Sequence, residues 1–209
     1  MSKLLIYLIM FPSMLLFQND DFVSMKDIQS FKKGINQMAS TTNTIQAKFN
    51  QNKYLSILSN GVESSGTMHF KKPDLLKWSY TNPYNYAILL NGEEIKINDE
   101  GKVNSFEIKN SKIFKELNDL IINSVRGNVL QEERFDISYL ENNELYLTRL
   151  NPQEEQLKSY VKQIDIYFEK SDYTVNRIQL FEYEGDYTLI TFHNKKINAS
   201  IPDSEFSFQ

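Results

Sequence analysis

The spacing of apolar side chains changes along this chain, and each spacing implies a different backbone. Ile28, Phe31, Ile35 and Met38 recur at intervals of 3, 4 and 3, which keeps them on one face of an α-helix of roughly four turns. Ser24, followed three residues later by Asp27, has the form of a capping box at its start. "STTNT" then interrupts the helix, and from Thr44 the period falls to two. Ile45, Ala47 and Phe49 alternate with Gln46, Lys48 and Asn50, as on a strand with one buried face. Comparable runs follow at Val62–Phe70, Leu75–Tyr80, Tyr86–Leu90, Glu93–Asn98, Phe135–Leu140, Leu145–Leu150, Tyr160–Phe168, Val175–Tyr183 and Tyr187–His193. Asn91-Gly92 lies between two of them, and both residues tolerate the positive φ of a type I′ hairpin turn. These signals predict an antiparallel, meandering sheet.

One stretch returns to helical spacing. Ile113, Phe114, Leu117, Leu120, Ile121 and Val125 share a face, with Ser111 as a candidate N-cap and Gly127 just beyond the end. A helix set between hairpins has to lie across a face or a mouth of the sheet. No internal repeat or Pro/Ser-rich linker divides the chain, so residues 24–209 are expected to form a single domain.

The first residues form a separate case. "MSKLLIYLIMFPSMLLF" carries one basic residue, Lys3, and then a 14-residue apolar run from Leu4 to Phe17 that Pro12 and Ser13 interrupt. That is short for a membrane span and suits the core of an export signal, so residues 1–18 are expected to be a signal peptide. No small-x-small pair follows Phe17, which leaves the cut unplaced and an uncleaved anchor as the alternative.

Composition supports a sheet and argues against several chemistries. Twelve Tyr and 14 Phe beside only 7 Gly and 5 Pro suit pleated surfaces. With 23 basic and 27 acidic residues the formal charge is −4, which offers nothing to a phosphate backbone, so no nucleic-acid partner is expected. His69 and His193 each sit on a predicted strand without a second ligand at metal-binding spacing. The absence of Cys excludes a thiol nucleophile, and there is no G-x-S-x-G elbow. The scattered glycines build neither a phosphate-binding loop nor a dinucleotide fingerprint. Glu93-Glu94 and Glu132-Glu133 are adjacent pairs that point to opposite faces of a strand and cannot share one substrate. No enzyme activity, metal or cofactor is expected.

Several motifs remain. Lys72-Pro73-Asp74-Leu75-Leu76-Lys77-Trp78, then Pro83, then Leu89-Leu90-Asn91-Gly92, resembles the signature of the LolA family of periplasmic lipoprotein carriers. Ala47-Lys48-Phe49-Asn50-Gln51, the strand Gly66 to Phe70, and Glu205-Phe206-Ser207-Phe208 agree with the same family in order and spacing. The resemblance implies a mainly β (α+β) fold: an incomplete, half-open antiparallel β-barrel with an N-terminal amphipathic helix and a helical lid over an apolar cavity. The helix at 111–125 is then the lid candidate.

The residues expected to line that cavity and bind lipid are Phe49, Met68, Phe70, Trp78, Ile88, Leu90, Ile95, Ile97, Phe114, Leu117 and Ile121. For Trp78, anchoring of the barrel wall stands beside lining. Lys72 occupies the position of the family's basic residue, usually Arg, which by resemblance latches the lid in the empty state; a solvated turn residue is the alternative. Leu76 falls where the family has an exposed hydrophobe that engages the extracting transporter, with a core-facing strand residue as the alternative.

The function implied is that of a monomeric periplasmic chaperone. It would take the acyl chains of lipoproteins released by an inner-membrane ABC transporter and carry them to the outer membrane, to a receptor there where one exists. Because the chain lacks Cys it cannot itself be acylated as a lipoprotein, which favours carrier over receptor. A carrier or sensor of another amphiphile on the same fold, and a non-transport envelope assembly module, remain as alternatives.

Overall fold

The computed structural model describes residues 21–58, 61–92, 94–107 and 134–208. The leader at 1–18 and the helix expected at 111–125, with Phe114, Leu117 and Ile121, lie outside the described residues. The strands are β1 (Val23–Ser24), β2 (Thr44–Tyr54), β3 (Val62–Lys71), β4 (Leu75–Asn82), β5 (Tyr86–Asn91), β6 (Glu94–Asp99) and β7 (Lys102–Glu107), followed by β8 (Phe135–Glu141), β9 (Leu145–Pro152), β10 (Gln163–Glu169), β11 (Val175–Phe181) and β12 (Tyr187–Ile197). They form one sheet in the order β1-β8-β9-β10-β11-β12-β2-β3-β4-β5-β6-β7.

Two meanders, β2 to β7 and β8 to β12, are joined where the last strand pairs with the first long one, from Tyr187 opposite Tyr54 to Ile197 opposite Ile45. Every pairing is antiparallel. The strands that end the order, β1 and β7, do not pair with each other, so the sheet is an unclosed barrel.

Helix α1 (Ile28–Thr41) starts one turn later than the expected capping box places it. Ser24 belongs to β1, and the N-cap is Asp27, whose side chain accepts a hydrogen bond from the Ser30 N–H at 2.8 Å. Phe31, Ile35 and Ala39 are buried on its inner face. Phe31 meets the rings of Tyr146 at 4.9 Å, Phe168 at 5.5 Å and Tyr139 at 6.3 Å, which seats α1 on β8, β9 and β10. Gly34 permits this approach, because a Cβ there would stand 2.3 Å from the Tyr173 ring. A short helix α2 (Glu155–Lys158) follows β9, and Leu157 and Val161 from this connection join the same core, so β10 begins three residues after the expected Tyr160.

The opposite face of β3, β4 and β5 is covered by the C-terminal tail. Ile201, Phe206 and Phe208 pack on Leu75 and Leu89. Lys77 Nζ donates to the Glu205 carbonyl at 2.7 Å, and His69 Nδ1 lies 3.1 Å from Glu205 Oε1, which gives that histidine a structural partner.

The β5–β6 hairpin differs from its expected register. Asn91 pairs with Glu94, so Asn91 stays in the strand, and Gly92 carries the positive φ of 62°.

Candidate functional site: an uncharged concave face

Alternation within each strand divides the sheet into two faces, and the inner face of β2 to β6 is apolar. Phe49, Met68, Phe70, Trp78, Leu90 and Ile95 form one cluster, with Ile88 and Ile97 packed against it at partial burial. These are all the expected lining residues that fall among the described ones. Phe49 and Ile95 are 0% exposed and Trp78 is 8% exposed. Trp78 therefore faces the interior of the curved sheet.

The ring geometry shows how strongly the sheet curves. Strands β2 and β4 are two apart, about 10 Å in a flat sheet, yet the Phe49 and Trp78 rings lie 4.4 Å apart. Strands β4 and β12 are three apart, about 14 Å when flat, yet Trp78 meets Phe192 edge-on at 5.8 Å. The apolar side chains thus converge on the concave side. One backbone contact makes this possible: Gly66 of β3 lies where a Cβ would stand 1.8 Å from the Ser79 carbonyl oxygen and 2.9 Å from Phe49 Cζ, beside a register shift in the β3–β4 pairing.

Among the described residues the one buried charged side chain, Asp165, lies on β10 paired with Arg149, so none is buried in this cluster. Its polar atoms belong to Tyr80, Gln51 and Trp78. The Tyr80 hydroxyl donates to Gln51 Oε1 at 3.0 Å. Burial raises the pKa of this phenol, an effect that Trp78 and Gln51 partly offset. The buried Trp78 indole is this phenol's neighbour and acts on it as a hydrogen-bond donor.

Leu76 is not an exposed hydrophobe. It pairs with Phe70 and Leu90, shares their inward parity and is 1% exposed, so it belongs to the concave cluster; Leu75 is the neighbour that faces outward, and the tail covers it. Lys72 is also engaged. Its Nζ donates to the carbonyls of Ala39 at 2.9 Å and Ser40 at 3.1 Å, at the end of α1. The last turn of α1 has no basic residue of its own, so Lys72 supplies the cation that a helix C-terminus favours. Its described partners are on α1, and the helix expected to act as a lid lies outside the described residues.

Sequence reasoning missed Phe192, Ile178 and Ile190 as parts of this face. Ile45 and Ala47 were within reach, since they share the parity of Phe49. The others come from β11 and β12, whose position beside β2 is a long-range pairing that no local pattern signals. Among the described residues no group of three or more His, Asp or Glu could hold a metal ion, and no helix is long and apolar enough to cross a membrane.

Comparison with known proteins agrees with this geometry. The outer-membrane lipoprotein carrier protein of Pseudomonas putida (strain GB-1) is 28% identical over 178 residues, covering 83% of this chain and 81% of the relative. The carrier protein of Francisella tularensis (strain WY96-3418) is 28% identical over 170 residues, covering 79% and 77%. In fold, the chain is similar to an uncharacterized conserved protein of Thermus thermophilus, with a TM-score of 0.54 at 9% identity over 85% of this chain and 91% of that one. Residues 40–209 match the family described as outer membrane lipoprotein carrier protein LolA, and the chain belongs to that family.

Proposed function

We propose that this protein binds the acyl chains of lipoproteins released from the inner membrane and carries them across the periplasm to the outer membrane. The observation that supports this most directly is the uncharged concave face, where side chains from strands β2 to β6 and β12 converge within a sheet that does not close. It occurs in a chain whose family is described as a lipoprotein carrier.

The physical task explains the need for such a surface. Each methylene taken from water is worth ~0.8 kcal/mol, so one long acyl chain represents a gross transfer free energy of ~10 kcal/mol. A surface that captured all of it would not release its cargo. Delivery runs downhill only if the empty, closed arrangement is nearly as stable as the loaded, open one. The concave cluster would favour closure, because its side chains pack against one another. Phe114, Leu117 and Ile121 in the segment 111–125 would complete the lining from the lid, and Lys72 would help to hold the closed form.

Docking to an inner-membrane releasing transporter would use exposed apolar side chains rather than Leu76. Ile57, 87% exposed, and Tyr84, 67% exposed, project from the β2–β3 and β4–β5 connections at the same end of the sheet.

The test is to isolate the protein from the periplasm of its own cells and identify what co-purifies by mass spectrometry. Acylated lipoproteins should be recovered. Recovery of phospholipid or glycolipid alone would transfer the reading to a carrier of another amphiphile.

A further inference from the structure

We infer that the end of the sheet formed by the β2–β3, β4–β5, β6–β7, β9–β10 and β11–β12 connections is a contact surface for a bilayer of zwitterionic phospholipid. The inference rests on the carrier reading above only for its purpose, since it names the surface at which cargo would pass to or from a membrane.

Antiparallel pairing puts these five connections at one end of the sheet and the β3–β4, β5–β6, β8–β9 and β10–β11 connections at the other. The exposed large apolar side chains follow the same division. Tyr160, Tyr183, Ile57 with Leu58, Tyr84 and Val103 lie in or beside the five connections, at least one at each. Among the described residues the connections of the opposite end expose none, and Val23 and Ile197 at that end belong to strands. Val62 extends the patch. It is exposed at the start of β3 and has the parity of Met68 and Phe70, so the apolar surface continues onto the concave face.

The distribution argues for a lipid surface. A partner helix is held by side chains gathered along one groove, whereas these are spread one or two per connection across the sheet order from β9 to β7. A fluid bilayer accepts such a spread without matching each position. Three of the set are tyrosines, whose apolar ring and polar hydroxyl suit the level of the head groups. Ile57 and Leu58 add aliphatic surface of the kind that enters the acyl boundary. The β2–β3 and β4–β5 connections, 55–61 and 83–85, contain no charged residue, and over all five connections acidic residues outnumber basic ones. This end therefore offers nothing to draw anionic lipid, and its contact has to come from apolar burial.

The chain has no Cys, so Tyr84→Cys, Tyr183→Cys and, at the opposite end, Val23→Cys each place an environment-sensitive fluorophore at one known position. Each labelled protein, isolated from the periplasm, is mixed with vesicles of phosphatidylcholine, with vesicles that also contain phosphatidylglycerol, and with phosphatidylcholine vesicles holding the cell's inner-membrane proteins. The labels at Tyr84→Cys and Tyr183→Cys should brighten and shift to shorter wavelength on phosphatidylcholine alone, at low and high salt alike, while the label at Val23→Cys stays unchanged. Phosphatidylglycerol should not strengthen binding. In the Tyr84→Cys protein, Ile57→Asp together with Leu58→Asp should lower the vesicle partition coefficient at least about tenfold, as the burial of a single aliphatic side chain implies. The unfolding midpoint should stay where it is. No response of the two labels to lipid, an equal response at Val23→Cys, or binding that needs phosphatidylglycerol and fades with salt overturns the inference. A response confined to vesicles that hold proteins also overturns it and assigns this end to a protein partner. None of these results touches the carrier reading, which the co-purified cargo decides.

Discussion

Lys72 illustrates how one side chain connects parts of the chain that are distant in sequence. Its ammonium group reaches the last carbonyls of α1, which have no partner within the helix, and joins the β3–β4 turn to the end of that helix. Replacing it by Met keeps the aliphatic stem and removes the charge, and should cost about 1 kcal/mol in denaturant unfolding. Lys72→Arg should recover most of that loss, because a guanidinium can donate to the same two carbonyls. A Met variant as stable as the parent would reduce Lys72 to a solvated turn residue. Residues of this kind are only half legible in a sequence. The Lys-Pro pair marks a turn and the family resemblance marks its importance, but the partner on α1 is more than thirty residues away. Leu76 is a similar case, since its inward direction follows from the parity of Trp78 two residues on, and that parity outweighs the position it occupies in the family motif.

At the level of elements, period-two runs located most strands and one period-3.6 stripe located α1, because each of these elements buries one face against the same core. What alternation could not reveal were elements that lack an apolar face. In the sequence of strand β7 the two apolar residues are three positions apart and do not alternate, β1 contributes only two residues, and α2 is a single turn. The edge strand β1 also depends on charge. The Glu141 carboxylate accepts from Lys170 Nζ at 2.6 Å and from the Lys26 backbone N–H at 2.9 Å, and these bonds hold its pKa below the ordinary 4.5. As the pH falls, the unfolded chain takes up this proton before the folded chain does. The stabilisation from Glu141 is therefore complete above about 4.5 and fades as the pH drops through the lower folded value. Thermal unfolding between pH 6 and pH 3 should show Glu141→Gln with a flatter acid limb than the parent. Parallel limbs would mean that β1 is held by something other than this carboxylate.

For the whole molecule, the main feature is a sheet bent far enough for rings three strands apart to touch, yet left open between β1 and β7. Helix α1 fills one half of the concave side with Phe31 and Ile35, and the other half is the uncharged cluster around Phe49 and Trp78. Val175 and Ile178 of β11 pack against both, so the two halves share a boundary, and opening one will be felt by the other. The direct test of a carrier role is whether the acyl chains are what the protein recognises. Purified protein is mixed with an acylated lipoprotein and, separately, with the same lipoprotein after its acyl chains have been removed, and native mass spectrometry reads the complexes. The account predicts a one-to-one complex with the acylated form and none with the deacylated form; equal complexes with both, or none with either, would contradict it.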